Sequence, residues 1–176
     1  MKKAFIRPFQ FIRAIFWCLF NGVKYKKGLY IGHFVKKTRK VKLFLSKNCR
    51  ISSHCLLWGN GEIVLGENSS LGSWSRIYSH LNGGVRIGKY FNGASHLYII
   101  DSNHTFKLGT PIQKQPLVSE LVVIGDDVWC GYNVTILPGV KLGNGCVCGA
   151  CSVVTKCFEN NSVICGNPAK VIKTRQ

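Results

Sequence analysis

A period of six constrains this chain more than any other feature. Ile124, Cys130, Ile136, Leu142, Cys148 and Val154 form an unbroken comb, and the residues directly after them are Gly125, Gly131, Leu137, Gly143, Gly149 and Thr155. Four positions past each tooth stand Val128, Val134, Val140, Cys146, Ser152 and Phe158, mostly small or β-branched. This period fits neither an amphipathic helix nor an alternating strand. It suits a short extended segment plus a corner: the tooth points inward, the glycine permits a tight turn, and the small residue fits inside the next bend. Three such sides close a triangular coil of 18 residues, which stacks Ile124 on Leu142, Cys130 on Cys148 and Ile136 on Val154. Stacked coils of this kind bury one continuous core.

Earlier stretches repeat the scheme with Leu65, Leu71 and Ile77, then Ile87, Gly93 and Ile99, and more weakly with Ile51, Leu57 and Ile63. Two interruptions separate them. Ile77 to Ile87 spans ten residues around "SHLNGG", and Ile99 to Ile124 spans 25, with Pro111, Pro116 and no comb. Insertions in a solenoid leave the stack as loops, so residues 101–120 are expected as an ejected loop with "DSNHTF" (101–106) at its root.

The run "VVIGDDVWCGYNVTILPGVKLGNG", followed by "SVVTK" and "GNPAKVIK", resembles the C-terminal signature of the hexapeptide-repeat acyltransferases. The resemblance covers roughly residues 50–175. It implies an all-β fold, a left-handed parallel β-helix. The hand comes from the family, since nearly all β crossovers are right-handed. It also implies a homotrimer with each site between neighbouring β-helices.

In the sugar O-acetyltransferase branch, a histidine 17 residues after an Ile-Gly tooth is the catalytic base, and Ile87-Gly88 with His104 reproduces that spacing. By this resemblance His104 takes the proton of an acceptor hydroxyl as the oxygen attacks the thioester of acetyl-CoA. Imidazole titrates in the range such a base needs. Asp101 would hold the tautomer or help position the loop, and direct transfer needs no nucleophile on the protein. For the acetyl-CoA, Trp129 would border the acyl end and the Tyr132 backbone N–H would face the oxyanion. Gly131 belongs to the same set. Ala150 and Thr155 would line the pantetheine arm, and Lys170 and Lys173 would meet the CoA phosphates. Where the family has an acceptor-holding asparagine, this chain has Trp74. Trp74, Arg76, Tyr78 and Asn103 are therefore the expected acceptor residues; a Trp74 that fills a trimer contact is the competing reading.

Cys146, Cys148 and Cys151 in "CVCGAC" raise the possibility of zinc. Two of them occupy comb positions that want small or apolar side chains, and no second ligand pair completes a site. No metal is expected. His33, His54, His80 and His96 have no catalytic context and are read as structural, with His80 a weak candidate for lining the cleft.

The formal charge is +17, residues 1–50 hold 14 of the 24 Lys and Arg, and the first acid is Glu62. Residues 1–48 are expected as a basic extension, and residues 49–176 as the β-helix domain. Phe5, Phe9, Ile12, Phe16, Leu19 and Val23 mark a helix over 5–23 that stops at Asn21-Gly22. That helix packs on the protein, or lies in a membrane interface beside the Lys-rich stretch 24–47. No cleavable signal is evident, and nine cysteines fit reduced thiols in the cytoplasm, with peripheral contact at the inner membrane face through residues 1–47. The leading expectation is O-acetylation of a small or lipid-linked saccharide, such as a surface-polysaccharide precursor. The alternatives are N-acetylation of a nucleotide-linked amino sugar, or a non-catalytic tethering or nucleic-acid-binding module. Charge alone does not call for nucleic acid, and none is expected.

Overall fold

Ile124 lies opposite Leu142, Cys130 opposite Cys148 and Ile136 opposite Val154, all in parallel register. In the computed structural model, which describes residues 8–176, such pairings build a β-solenoid with three faces. The first face has eight strands, from Tyr30–Ile31 to Ala169–Thr174. The second has six, from Lys36–Lys37 to Val153–Val154, and the third has five, from Lys42–Leu45 to Lys141–Leu142. Along the first face Ile31, Ile51, Leu71, Cys130, Cys148 and Ile164 all point inward and are at most 1% exposed. A large apolar side chain buried in this way contributes about 1.5–3 kcal/mol.

The residues four past the teeth do more than fit. Ser75 donates to the Gly72 carbonyl and Ser152 to that of Gly149, both at 2.7 Å. The thiols of Cys49 and Cys55 donate to Gly66 and Gly72 at 3.1 Å. A small polar side chain here gives a carbonyl at the bend a hydrogen-bond donor, and the Gly72 carbonyl has two, from Ser75 and Cys55.

The left-handed backbone falls three residues past the tooth, not one. Asp127, Asn133, Gly139, Gly145 and Cys151 have φ of 55° to 75°. Gly131, directly after its tooth, is needed for a different reason from the expected tight turn: a Cβ there would lie 2.8 Å from the Ala150 nitrogen of the next coil. Close approach of backbones, not φ, demands that glycine.

Coil length also departs from a uniform 18. Successive partners on the first face are Tyr30, Arg50, Ser70, Asn92, Trp129, Val147 and Val163, in steps of 20, 20, 22, 37, 18 and 16 residues. Early coils are longer because their third-face strands carry two teeth, Leu43 with Leu45 and Ile63 with Leu65. In the 37-residue coil the expected loop leaves the stack as a β-hairpin, Ser102–His104 against Leu117–Ser119, with a short 3-10 turn at Ile112–Lys114 between them.

The expected domain boundary at residue 48 needs correcting, since Tyr30–Ile31, Lys36–Lys37 and Lys42–Leu45 already form a complete coil. Its comb is masked because Lys37 stands where the next coil has Leu57. Burial lowers the pKa of that lysine, and its ammonium donates to the Thr38 carbonyl at 3.2 Å.

Helix α1 (Pro8–Phe20) packs on this first coil; Phe5 and Arg7 lie outside the described residues. Ala14 and Cys18 are its buried contacts, and the Trp17 indole N–H donates to Val35 at 2.9 Å. Of the two expected roles for the apolar row, packing on this chain is not what Phe9, Ile12, Phe16 and Leu19 do: they are turned outward, 51–80% exposed. Small side chains at positions 14 and 18 let the helix backbone come close, which the bulky row would prevent. Among the described residues, no helix is long and apolar enough to cross a membrane.

Candidate active site

His104 ends the outgoing strand of the hairpin, opposite Leu117, and its side chain is exposed. It borders a depression lined by Trp58, Tyr78, Tyr98, Ile100, Asn103 and Leu117. The three rings come from second-face strands of three successive coils, Trp58 in register with Tyr78, and Tyr98 with Arg76. Trp58 meets Tyr78 edge-on at 5.2 Å between centroids and lies 6.0 Å from Tyr98. Burial raises the Tyr98 phenol above its ordinary value, so the groove keeps a neutral, hydrogen-bonding wall beside the imidazole.

Asp101 faces the other way. It is fully buried, and its carboxylate accepts the Ser79 hydroxyl at 3.1 Å and the backbone N–H groups of His80 and Gly84 at 2.9 and 2.6 Å. His104 is not among its partners. The carboxylate positions the root of the hairpin rather than holding the imidazole tautomer. His80 strengthens the same joint, its Nδ1 lying 2.9 Å from the Ser119 hydroxyl on the returning strand.

A second cleft opens on the first face, lined by Tyr90, Asn92, Trp129, Val147, Lys173 and Arg175 among others. It brings together Trp129 and Lys173 of the expected CoA residues. Gly131, Tyr132 and Ala150 lie round the corner between the first and second faces, with Gly131 against Ala150. Thr155 follows the second-face strand Val153–Val154, one corner further on. Lys170 sits on the terminal strand opposite Cys165, outside the lining of the cleft. Arg175, which the hexad pattern does not single out, bonds Asp127 at 2.8 Å at the cleft wall.

Trp74 and Arg76 line a depression that shares Tyr98 with the one beside His104, whereas Tyr78 and Asn103 line the latter. Trp58 and Tyr98 escaped the sequence reading because they are outward neighbours of the teeth Leu57 and Ile99, positions the comb leaves free. Aromatic residues recurring beside successive teeth would have been the signal. Within one chain, His104 and Trp129 stand on different faces. Among the described residues no group of three or more His, Cys, Asp or Glu could hold a metal ion. Cys130 and Cys148 stack in the core, where their mutual hydrogen bond and burial push the Cys130 thiol well above its ordinary value.

A stack of hexads that carries a histidine on an ejected hairpin defines the class, a hexapeptide-repeat transferase. Residues 121–156 match the family described as bacterial transferase hexapeptide (six repeats). The chain is 37% identical to the putative lipopolysaccharide biosynthesis O-acetyl transferase WbbJ of Escherichia coli K12, over 80% of this chain and 87% of that protein. It is 32% identical to the putative colanic acid biosynthesis acetyltransferase WcaF of the same organism, over 93% of this chain and 75% of that protein. Among solved structures, AntD, an N-acyltransferase from Bacillus cereus in complex with dTDP and 3-hydroxybutyryl-CoA, superposes with a TM-score of 0.67. That match covers 83% of this chain and 82% of the other at 22% identity, a likeness of fold. The chain belongs to the bacterial hexapeptide-repeat transferases, and it is an acyltransferase.

Proposed function

We propose that this enzyme transfers an acetyl group from acetyl-CoA to a saccharide hydroxyl, with His104 as general base. The observation that carries the reading is the exposed imidazole at the edge of the groove formed by Trp58, Tyr78 and Tyr98, in a chain so similar to a named O-acetyl transferase. Aromatic faces suit the C–H faces of a sugar ring. His104 removes the hydroxyl proton as the oxygen attacks the thioester carbonyl, and the Tyr132 backbone N–H donates to the oxyanion that develops. Collapse of the tetrahedral intermediate expels the CoA thiolate, which takes the proton back from the imidazolium.

The separation of His104 from Trp129 and Lys173 supports a site completed between copies in a homotrimer. The first face of one chain presents the thioester, and the hairpin of its neighbour supplies the base. The outward row Phe9, Ile12, Phe16 and Leu19, beside a first coil rich in lysine, supports a position at the inner face of the cytoplasmic membrane and a lipid-linked acceptor.

The test is a screen of saccharides with acetyl-CoA that follows free thiol release and product mass, then treats each product with hydroxylamine. An ester, cleaved by hydroxylamine, is expected. A resistant amide product would replace this reading with amino-sugar N-acetylation, and no thiol release with any saccharide would remove it.

A further inference from the structure

Three depressions adjoin one another along the second face. The one beside His104 shares Tyr98 with the next, which is lined by Trp74, Arg76, His96 and Asn133. That one shares Trp74 and Arg76 with a third, lined by Phe34, Lys36, His54 and Leu56. The strands beneath come from successive coils: Lys36 lies opposite Leu56, Leu56 opposite Arg76, and Arg76 opposite Tyr98. Three strand steps span about 14 Å, longer than a single sugar ring.

One edge of this track is a column of stacked rings. Phe34 and His54 lie 5.0 Å apart, His54 and Trp74 4.0 Å apart and 2° from parallel, and Trp74 and His96 6.4 Å apart. All four residues have left-handed backbone, with φ of 54°, 61°, 65° and 63°. Most equivalent corners elsewhere hold Asn, Gly or Asp, as at Asn48, Asn68, Asp127 and Gly139, residue types that adopt this conformation readily, with Tyr90 and Cys151 the exceptions. A bulky side chain there costs about 1–2 kcal/mol. The corner itself does not require rings, and their faces are not buried in the core: Phe34 is 72% exposed and Trp74 49%. The charged side chains lining the three depressions are Lys36, Arg76 and the neighbouring His104, His96 and His54 when protonated; none is acidic.

We infer that the second face is a binding track for an acceptor of several sugar units. The unit to be acetylated lies over Trp58, Tyr78 and Tyr98 at His104, and the units before it run across Trp74 and His54 toward Phe34. Arg76 and Lys36 pair with a carboxylate or phosphate on that chain. The inference rests on the saccharide reading above and adds the length and direction of the acceptor. The track ends on the first coil, where α1 packs, so a lipid-borne chain enters from the end that carries the outward phenylalanines.

Binding and transfer test it separately. Fluorescently labelled full-length protein is applied to a glycan array holding mono- to hexasaccharide members of many series. Signal is expected on members of about three or more units and not on the monosaccharides of the same series. Trp74→Ala and Arg76→Ala should each weaken it about tenfold, with CoA binding and the light-scattering mass unchanged. Equal binding of monosaccharides, or binding of no oligosaccharide in any series, overturns the track. A fall in oligomer mass in Trp74→Ala also overturns it, by assigning the rings to a subunit contact. Acetyl transfer with no preference for longer acceptors overturns the track and leaves the transferase reading standing. Length-dependent binding without any acetyl transfer keeps the track and removes the transferase reading instead.

Discussion

The Asp101 carboxylate accepts the backbone N–H of Gly84 at 2.6 Å, although the two residues lie 17 apart in the chain. With Ser79 and His80 donating to the same carboxylate, this side chain ties together the two places where the hexad stack is interrupted, the 80–84 turn and the root of the hairpin. Asp101→Ala leaves the backbone N–H groups of His80 and Gly84 without an acceptor at a buried site, while the Ser79 hydroxyl keeps the Glu62 carbonyl at 3.0 Å. The expected loss is about 3–5 kcal/mol, read from the urea midpoint. An unchanged midpoint together with a large drop in turnover would show that Asp101 serves the imidazole after all.

His104 is in the opposite position, exposed and on the free side of its strand. His104→Ala should leave stability within about 0.5 kcal/mol of the parent, as surface substitutions do. Acetyl transfer should fall by at least ~100-fold, the scale of general-base catalysis, while CoA binding is retained. Turnover close to that of the parent enzyme would rule out His104 as the base.

The comb from Ile124 to Val154 was legible because its teeth follow one another without interruption, and the His104 spacing because no residue is inserted between Ile87 and the hairpin. Where the comb goes blank, the physical reasons are local. Gly93 occupies a tooth position without a side chain, and Phe91, 1% exposed, fills the space: a Cβ at Gly93 would meet the Phe91 ring and the Leu97 Cδ2 at 2.9 Å. Lys37 hides another tooth behind a charge. The track was legible only in part: Trp74, Arg76 and Tyr78 were expected at the acceptor, but Trp58, Tyr98 and the column of rings were not, because they point outward, where the period of six sets no residue type. Trp129, beside its tooth, falls on the first face, and His104 rides the hairpin beside the second, a separation consistent with the expected site between neighbouring β-helices.

The buried thiols make a prediction with a definite sign. Burial pushes Cys18, Cys49 and Cys55 up to about 11 from an ordinary 9.0. The folded protein therefore keeps protons that the unfolded chain releases between pH 9 and 11, so stability is full below pH 9 and falls as pH rises toward 11. The urea midpoint should drop between pH 8.5 and 10.5. At pH 8 a thiol reagent should modify the exposed Cys151 and Cys157 quickly and the half-buried Cys165 slowly. The remaining six should react only after denaturation. Rapid modification of all nine in the native protein would contradict the solenoid core described above.

The two sides of α1 predict different losses. Ala14 and Cys18 face the first coil and are at most 1% exposed, so Cys18→Asp buries an unpaired carboxylate and should lower the melting temperature markedly. Phe16 and Leu19 face outward, 54% and 72% exposed, so the double variant Phe16→Ser, Leu19→Ser should melt like the parent. Its co-sedimentation with vesicles of phosphatidylethanolamine and phosphatidylglycerol should fall by at least ~10-fold, since each lost methylene removes about 0.8 kcal/mol of insertion. What binding remains should be carried by the lysines and disappear in high salt, where surface charges are screened. Co-sedimentation equal to that of the parent would show that the outward row does not enter the bilayer, and that attraction to anionic lipid, if any, comes from the basic first coil alone.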